Sequence, residues 1–142
     1  MISVDSHWLD YYVDGMQCAS PNNTNRYWRW VNDGSGDVSV FIDRAIPELF
    51  HNTEKKRKFG WLMESRSITP EIYEYVENNA FALSLVCDGI FTHDYNLAKT
   101  EPFLYVPSPA NPWIVNRDIH KKNKLVSMIA SDKGWTGGHR HR

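Results

Sequence analysis

Apolar residues along this chain fall into short β-branched and aromatic runs, separated by polar, glycine-marked or helically spaced stretches, and that spacing outlines an order of elements. Val38-Ser39-Val40-Phe41-Ile42 lies between the turn-forming Asn32-Asp33-Gly34-Ser35-Gly36-Asp37 and the polar pair Asp43-Arg44. Such a run predicts a buried strand over 38–42. Phe59-Gly60-Trp61-Leu62-Met63 predicts a second strand, which delivers Glu64, Ser65, Arg66 and Ser67 to its carboxyl end. Thr69 is placed to cap a helix that begins with Pro70 and carries Glu71 in its first turn, where the helix dipole favours a carboxylate. Ile72, Tyr75, Val76 and Ala80 recur at helical spacing, and 81–86 extends or follows that helix. A third strand is expected over 87–92, ending in His93-Asp94, then a brief helix over 95–99 and a fourth strand over 103–106.

The flanks of this pattern are less regular. Residues 1–36 read as an irregular, aromatic-rich segment in which Asn25 caps a short helix over 26–31. Residues 47–50 suit a single helical turn, and the basic run Lys55-Lys56-Arg57-Lys58 reads as a solvated edge before a strand. Three prolines in 107–112 make a stiff connector.

Strands alternating with helical stretches, with polar residues gathered at the strand ends, describe an α/β layered domain with a largely parallel sheet. Ligands in such sheets bind outside the carboxyl ends of the strands. Glu64 is the first candidate there: a carboxylate at the tip of an apolar strand acts as a general base if burial raises its pKa, or binds sugar hydroxyls if it stays ionised. A surface pair between Glu64 and Arg66, or a loop cap, is the plainer alternative. His93-Asp94 puts an imidazole beside a carboxylate, suited to acid–base work or metal binding. Neighbours on a strand point to opposite faces, however, so a structural cap for the next helix is the favoured reading.

Composition narrows the function classes. The 142 residues, 42% hydrophobic and 23% charged, are enough for one ordinary core. A net charge of -1 and a pI near 6.6 argue against a protein that coats nucleic acid. Two distant cysteines, Cys18 and Cys87, exclude a disulfide framework and a four-cysteine zinc site. No His-Glu-x-x-His, Cys-x-x-Cys or serine nucleophile elbow occurs, so no metal or cofactor is expected. The chain has no apolar run long enough to span a bilayer and no signal-peptide pattern at Met1, which predicts a soluble, cytoplasmic protein. Six Trp, seven Tyr and six Phe form clusters such as Tyr27-Trp28-Arg29-Trp30 that could stack on sugar rings. Packing is the favoured use of so many large rings.

The last segment has its own signature. Leu125-Val126-Ser127-Met128-Ile129-Ala130 is strand-like and leads through Ser131-Asp132-Lys133 to a glycine turn and then to His139-Arg140-His141-Arg142. Glycines let a backbone approach an anion and arginine forks match phosphate geometry, so this reads as the first strand and loop of an anion site.

Taken in order, 59–70 (FGWLMESRSITP), 88–94 (DGIFTHD), 103–107 (FLYVP) and 124–142 (KLVSMIASDKGWTGGHRHR) resemble the α-1,3-fucosyltransferase-like glycosyltransferases of the family 10 type. The resemblance implies two facing Rossmann-like domains, an acceptor-side domain followed by one that binds a GDP-linked sugar. It implies an acceptor-side domain over 37–112, a linker over 113–123, and over 124–142 the start of a nucleotide-sugar domain whose remainder lies beyond Arg142, which would leave this stretch inactive alone. It implies that Glu64 is the base that deprotonates the acceptor hydroxyl, that Ser65, Arg66, His93 and Asp94 line the acceptor side, and that Ser131, Arg140 and Arg142 face the donor diphosphate. Asp132 stands where the family has asparagine. The implied partners are a glycan acceptor and a nucleotide sugar, with no nucleic acid. A non-catalytic carbohydrate-binding or structural α/β protein of viral or environmental origin is the alternative.

Overall fold

The computed structural model describes residues 2–7, 27–31, 33–54 and 56–107, all within one compact unit, Met1–Pro112. The expected features at 113–142, including Ser131, Arg140 and Arg142, lie outside the described residues. So does Cys18.

Six strands form one sheet: β1 Ile2–His7, β2 Trp28–Val31, β3 Val38–Ile42, β4 Arg57–Leu62, β5 Gly89–Thr92 and β6 Phe103–Tyr105. Their spatial order is β2-β1-β3-β4-β5-β6, and every neighbouring pair is parallel. The expected α/β Rossmann-like layering with a parallel sheet is therefore the observed one. Between β3 and β4 a 3₁₀ segment spans Asp43–Phe50, longer than the single turn expected at 47–50. Between β4 and β5 lie α1, Pro70–Asn78, and α2, Ala80–Ser84. A short 3₁₀ turn, Leu97–Lys99, joins β5 to β6 where a brief helix was expected.

Register separates the two sheet faces. His7, Phe41, Gly60, Ile90 and Phe103 are aligned across five strands. On that face Phe41, Leu62, Ile90 and Phe103 pack with Ala45, Ile46 and Leu49 of the first 3₁₀ segment, Ile72, Tyr73 and Val76 of α1, Leu83 of α2 and Leu97. Steps from β3 through β6 all move in one direction across the sheet, and connections of one hand then share a face, which is where this core forms. Each large side chain so buried contributes about 1.5–3 kcal/mol. The opposite face carries Val40 and Ile42, with Val4, Val38, Phe59, Trp61 and Met63 packed against them, and Phe59 stacks on Phe91 at 5.2 Å. Both faces of a parallel sheet need apolar side chains, which explains why β3 is a nearly unbroken apolar run.

Three expectations are corrected. Residues 1–36, read as irregular, contribute β1 and β2 to the sheet. Within the stretch expected as a helix over 26–31, Trp28–Val31 forms β2, because these residues pair with Ile2 to Asp5 and their bulky side chains suit an extended backbone. Thr69 does occupy the N-cap position of α1 but makes no side-chain cap bond; its hydroxyl is buried and has no partner among the described residues.

A fourth correction concerns the basic run. Lys56 is not a solvated edge residue: its ammonium lies 2.7 Å from the buried Asp5 carboxylate and 3.0 Å from Glu54. Burial works against its charge, but the bonds from Asp5 and Glu54 outweigh that and raise its pKa. Asp5 also accepts the backbone N–H of Gly34 at 3.0 Å and of Gly36 at 2.8 Å. The chain passing from β2 to β3 must cross β1, and this carboxylate holds the crossing down. A Cβ at Gly36 would meet the Asp5 backbone nitrogen at 2.6 Å, so only glycine fits there.

Candidate functional site

The strand order reverses at β1: the chain moves from β1 to β2 on one side, then crosses back to β3 and continues outward. Doubly wound sheets bind ligands at the carboxyl edge beside such a reversal. Here that edge is formed by His7 at the end of β1, Asp43 after β3, Glu64 beyond β4, and His93 and Asp94 after β5.

Asp43 is the most constrained of these residues. It is fully buried, and it alone among the described non-glycine residues has a positive φ, 46°. That left-handed conformation is disfavoured for most side chains but is adopted by Asp more readily than by bulky residues. Its carboxylate accepts the Met63 N–H at 2.9 Å and the Glu64 N–H at 3.2 Å on Oδ1, with a longer bond from Glu64 to Oδ2. Burial pushes its pKa up to about 6; the two backbone bonds oppose this, the nearby Glu64 charge adds to it and His93 counters it. The carboxyl group thus ties the end of β3 to the end of β4 and fixes the backbone of Glu64.

The Glu64 side chain is half-buried, and among the described residues no hydrogen bond or ion pair engages its carboxylate. Its carbonyl accepts the Tyr73 hydroxyl at 2.9 Å. Burial, together with the charges of Asp94 and Asp43, lifts the Tyr73 pKa to about 12, so this phenol stays a donor. Glu64 is therefore held from two sides, through its N–H by Asp43 and through its C=O by Tyr73.

Glu64 does not pair with Arg66. The guanidinium forms a fork on Glu77, at 3.0 and 2.8 Å, and reaches Asp94 Oδ2 through Nε at 3.3 Å and Nη2 at 3.1 Å. It also lies 4.6 Å from the Tyr73 ring centre. Its pKa is raised, above all by the Glu77 bonds. Arg66 works as a hub joining the β4–α1 loop to α1 and to the end of β5. A cavity of about 270 Å³ opens beside it, lined by Arg66, Glu77, Ala80, Asn96, Leu97, Thr100 and Phe103. Ser65 and Ser67 bond each other through their hydroxyls at 2.9 Å.

His93 and Asp94 lie beyond β5 and take different roles. Asp94 Oδ1 accepts the N–H groups of Asn96 at 3.0 Å and Leu97 at 3.2 Å, so it caps the following 3₁₀ turn. Burial opposes its charge, but these bonds and Arg66 hold its pKa below the usual range. His93 lies near enough to Asp43 to favour that carboxylate's charged form.

Two residues of this edge were not singled out in the sequence, Asp43 and His7. The His7 ring stacks nearly parallel on Phe41, with centroids 4.0 Å apart and planes 7° apart. Its Nε2 is buried and has no hydrogen-bond partner among the described residues. The usable signal was short: Ile2 and Val4 alternate with Ser3 and Asp5 ahead of a polar ring.

Among the described residues, no group of three or more His, Cys, Asp or Glu is placed to hold a metal ion, and no helix is long and apolar enough to cross a membrane. Cys87 is a free thiol whose pKa burial raises. Comparison with protein-family models, curated proteins and solved structures finds no match to this chain.

Proposed function

We propose that this chain carries the acceptor-side domain of a glycosyltransferase that moves a sugar from a nucleotide-linked donor to a glycan hydroxyl, with Glu64 as the base. The observation that supports this most is the treatment of the Glu64 backbone: a fully buried carboxylate at a left-handed φ is maintained at its N–H, and a phenol at its C=O. Strain and charge burial of this kind concentrate where a group must be held in one geometry. Glu64 projects from the edge where parallel sheets bind ligands, and its carboxylate has no partner among the described residues.

In an inverting transfer Glu64 takes the proton of the acceptor hydroxyl as that oxygen bonds to the anomeric carbon. The bond from that carbon to the diphosphate oxygen breaks, and the diphosphate leaves with the electron pair. Asp43 does not touch the substrates in this scheme; it positions Glu64. The donor is a GDP-linked sugar, in keeping with the sequence resemblance, and the diphosphate falls to Ser131, Arg140 and Arg142.

The test reads binding and transfer together. Saturation-transfer NMR of the full chain with neutral oligosaccharides and with GDP- and UDP-sugars should show oligosaccharide binding. Where transfer is measurable, by mass spectrometry of the acceptor, Glu64→Gln should lower it about 10²-fold with little change in donor affinity. Unchanged transfer removes Glu64 from the mechanism. Nucleotide-sugar binding at this edge in place of oligosaccharide overturns the acceptor-side assignment.

A further inference from the structure

Arg66 and Asn96 belong to the loops that follow β4 and β5, on the same rim as Glu64, and both line the cavity of about 270 Å³ beside α1 and α2. Glu77, Asn96 and Thr100 are exposed at its margin, so a solute reaches it from solvent. Its apolar wall is Ala80 with Leu97 and Phe103, which are 6% and 5% exposed. The Arg66 guanidinium lies over the Tyr73 ring, and the Tyr73 hydroxyl bonds the Glu64 carbonyl, so the cavity and the Glu64 backbone belong to one packed unit.

Size and charge narrow what fits. Pockets for drug-sized ligands run from about 300 to 1,000 Å³, so a cavity just below that range suits one ring and is too small for a nucleotide sugar. Glu77 and Asp94 share the Arg66 guanidinium, which leaves one negative charge over. The Lys99 ammonium, 3.0 Å from Asn96 Oδ1, offsets it. The lining therefore favours neither an anion nor a cation.

Hydrogen-bonding capacity points the same way. With Asn96 Oδ1 taken by Lys99, its Nδ2 has no partner among the described residues. Each Glu77 oxygen accepts one Arg66 N–H and has room for a second donor. Thr100 Oγ1 donates to the Leu97 carbonyl at 3.1 Å and keeps its lone pairs. A wholly apolar ligand would strip water from these groups and give nothing back. A hydroxyl both donates and accepts, and so satisfies all three.

We propose that this cavity receives a single neutral, hydroxyl-bearing ring, with Asn96 Nδ2 and the Glu77 carboxylate bonding its hydroxyls and its C–H face on Ala80, Leu97 and Phe103. This rests on the glycosyltransferase reading in taking the ring to be a sugar unit of the acceptor glycan. Asn96 and Glu77 then bind and orient the acceptor, and Glu64 remains the base.

The experiment uses the full chain labelled with ¹⁵N. The methyl glycosides of galactose, glucose, mannose and N-acetylglucosamine, inorganic phosphate and GDP are added separately while the Asn96 side-chain amide and the Ala80 backbone amide are followed. At least one glycoside should move both resonances, whereas phosphate and GDP should leave them in place. Asn96→Ala should weaken that glycoside about tenfold with the melting temperature close to wild type, and Asn96→Gln should recover part of the loss. Ala80→Leu removes no polar group but fills the cavity, so it should also weaken binding about tenfold or more without lowering the melting temperature. Wild-type affinity in Asn96→Ala or in Ala80→Leu, resonances that answer phosphate or GDP, or no glycoside response at all overturns the proposal. The two readings fail separately. Glycosides that bind at Asn96 in a protein that neither binds nor turns over nucleotide sugars would sink the transferase and leave this site standing. Transfer that depends on Glu64 but has an unchanged acceptor KM in Asn96→Ala and Ala80→Leu would do the reverse.

Discussion

Asp43→Asn is the most direct probe of the carboxyl edge, because the amide tests charge while nearly preserving shape. Oδ1 of Asp43 receives the two shorter backbone bonds, from Met63 at 2.9 Å and Glu64 at 3.2 Å, and an asparagine oxygen can take both. Only the longer 3.3 Å bond to Oδ2 is lost. The folded protein holds the Asp43 proton more tightly than the unfolded chain, since burial lifts the pKa from 3.8 to about 6. The stability this contributes is therefore fully present below about pH 3.8 and is lost as pH rises through about 6. At about 1.4 kcal/mol per pH unit, that interval amounts to about 3 kcal/mol. The amide that replaces the carboxyl group has no such proton to lose. Urea unfolding of both proteins from pH 4 to pH 8 should show nearly equal stability at the acid end and a lead for Asp43→Asn that grows to about 3 kcal/mol at the basic end. Curves that run parallel across this range, or a variant less stable at pH 8, would refute the assignment of a costly buried charge to Asp43. A stabilised variant would also place Asp43 among residues kept for position at the expense of stability.

Two further substitutions test the scaffold. Gly36→Ala pushes a methyl against the Asp5 backbone nitrogen at 2.6 Å and should cost about 3 kcal/mol, read as a lower urea midpoint with an unchanged slope. Arg66→Leu removes the hub between Glu77 and Asp94; with the Arg66 side chain 45% exposed the loss should be about 1 kcal/mol. Added salt should shrink that difference in thermal melts, because it screens the wild-type pairs.

How legible the fold was varied with the reach of the interactions involved. β3, β4 and α1 were readable because their signals are local: the β-branched run 38–42, the aromatic-apolar run 59–63, and Pro70 with Glu71 ahead of helically spaced Ile72 and Val76. β2 was misread because four residues are too few to show a period, and Asn25 supplied a plausible helix cap. Its strand character comes from pairing with β1, a contact that no window of sequence contains. Lys56 was misread for a similar reason: its partner Asp5 is 51 residues away. At the edge, Glu64, His93 and Asp94 could be found as polar residues at strand tips. Asp43 also stood at a tip, but its importance comes from a positive φ and from N–H groups supplied by the next strand. Its sequence neighbours point only to a turn.

The row that crosses five strands has one gap in it, at Gly60, between Phe41 and Ile90. Ile90 fills that gap: a Cβ at Gly60 would meet its Cγ1 at 3.1 Å and its Cγ2 at 3.3 Å. The side chain that one strand lacks is thus supplied by its neighbour, and any larger residue at 60 would have to push Ile90 out of the place it holds among Phe41, Leu62 and Phe103.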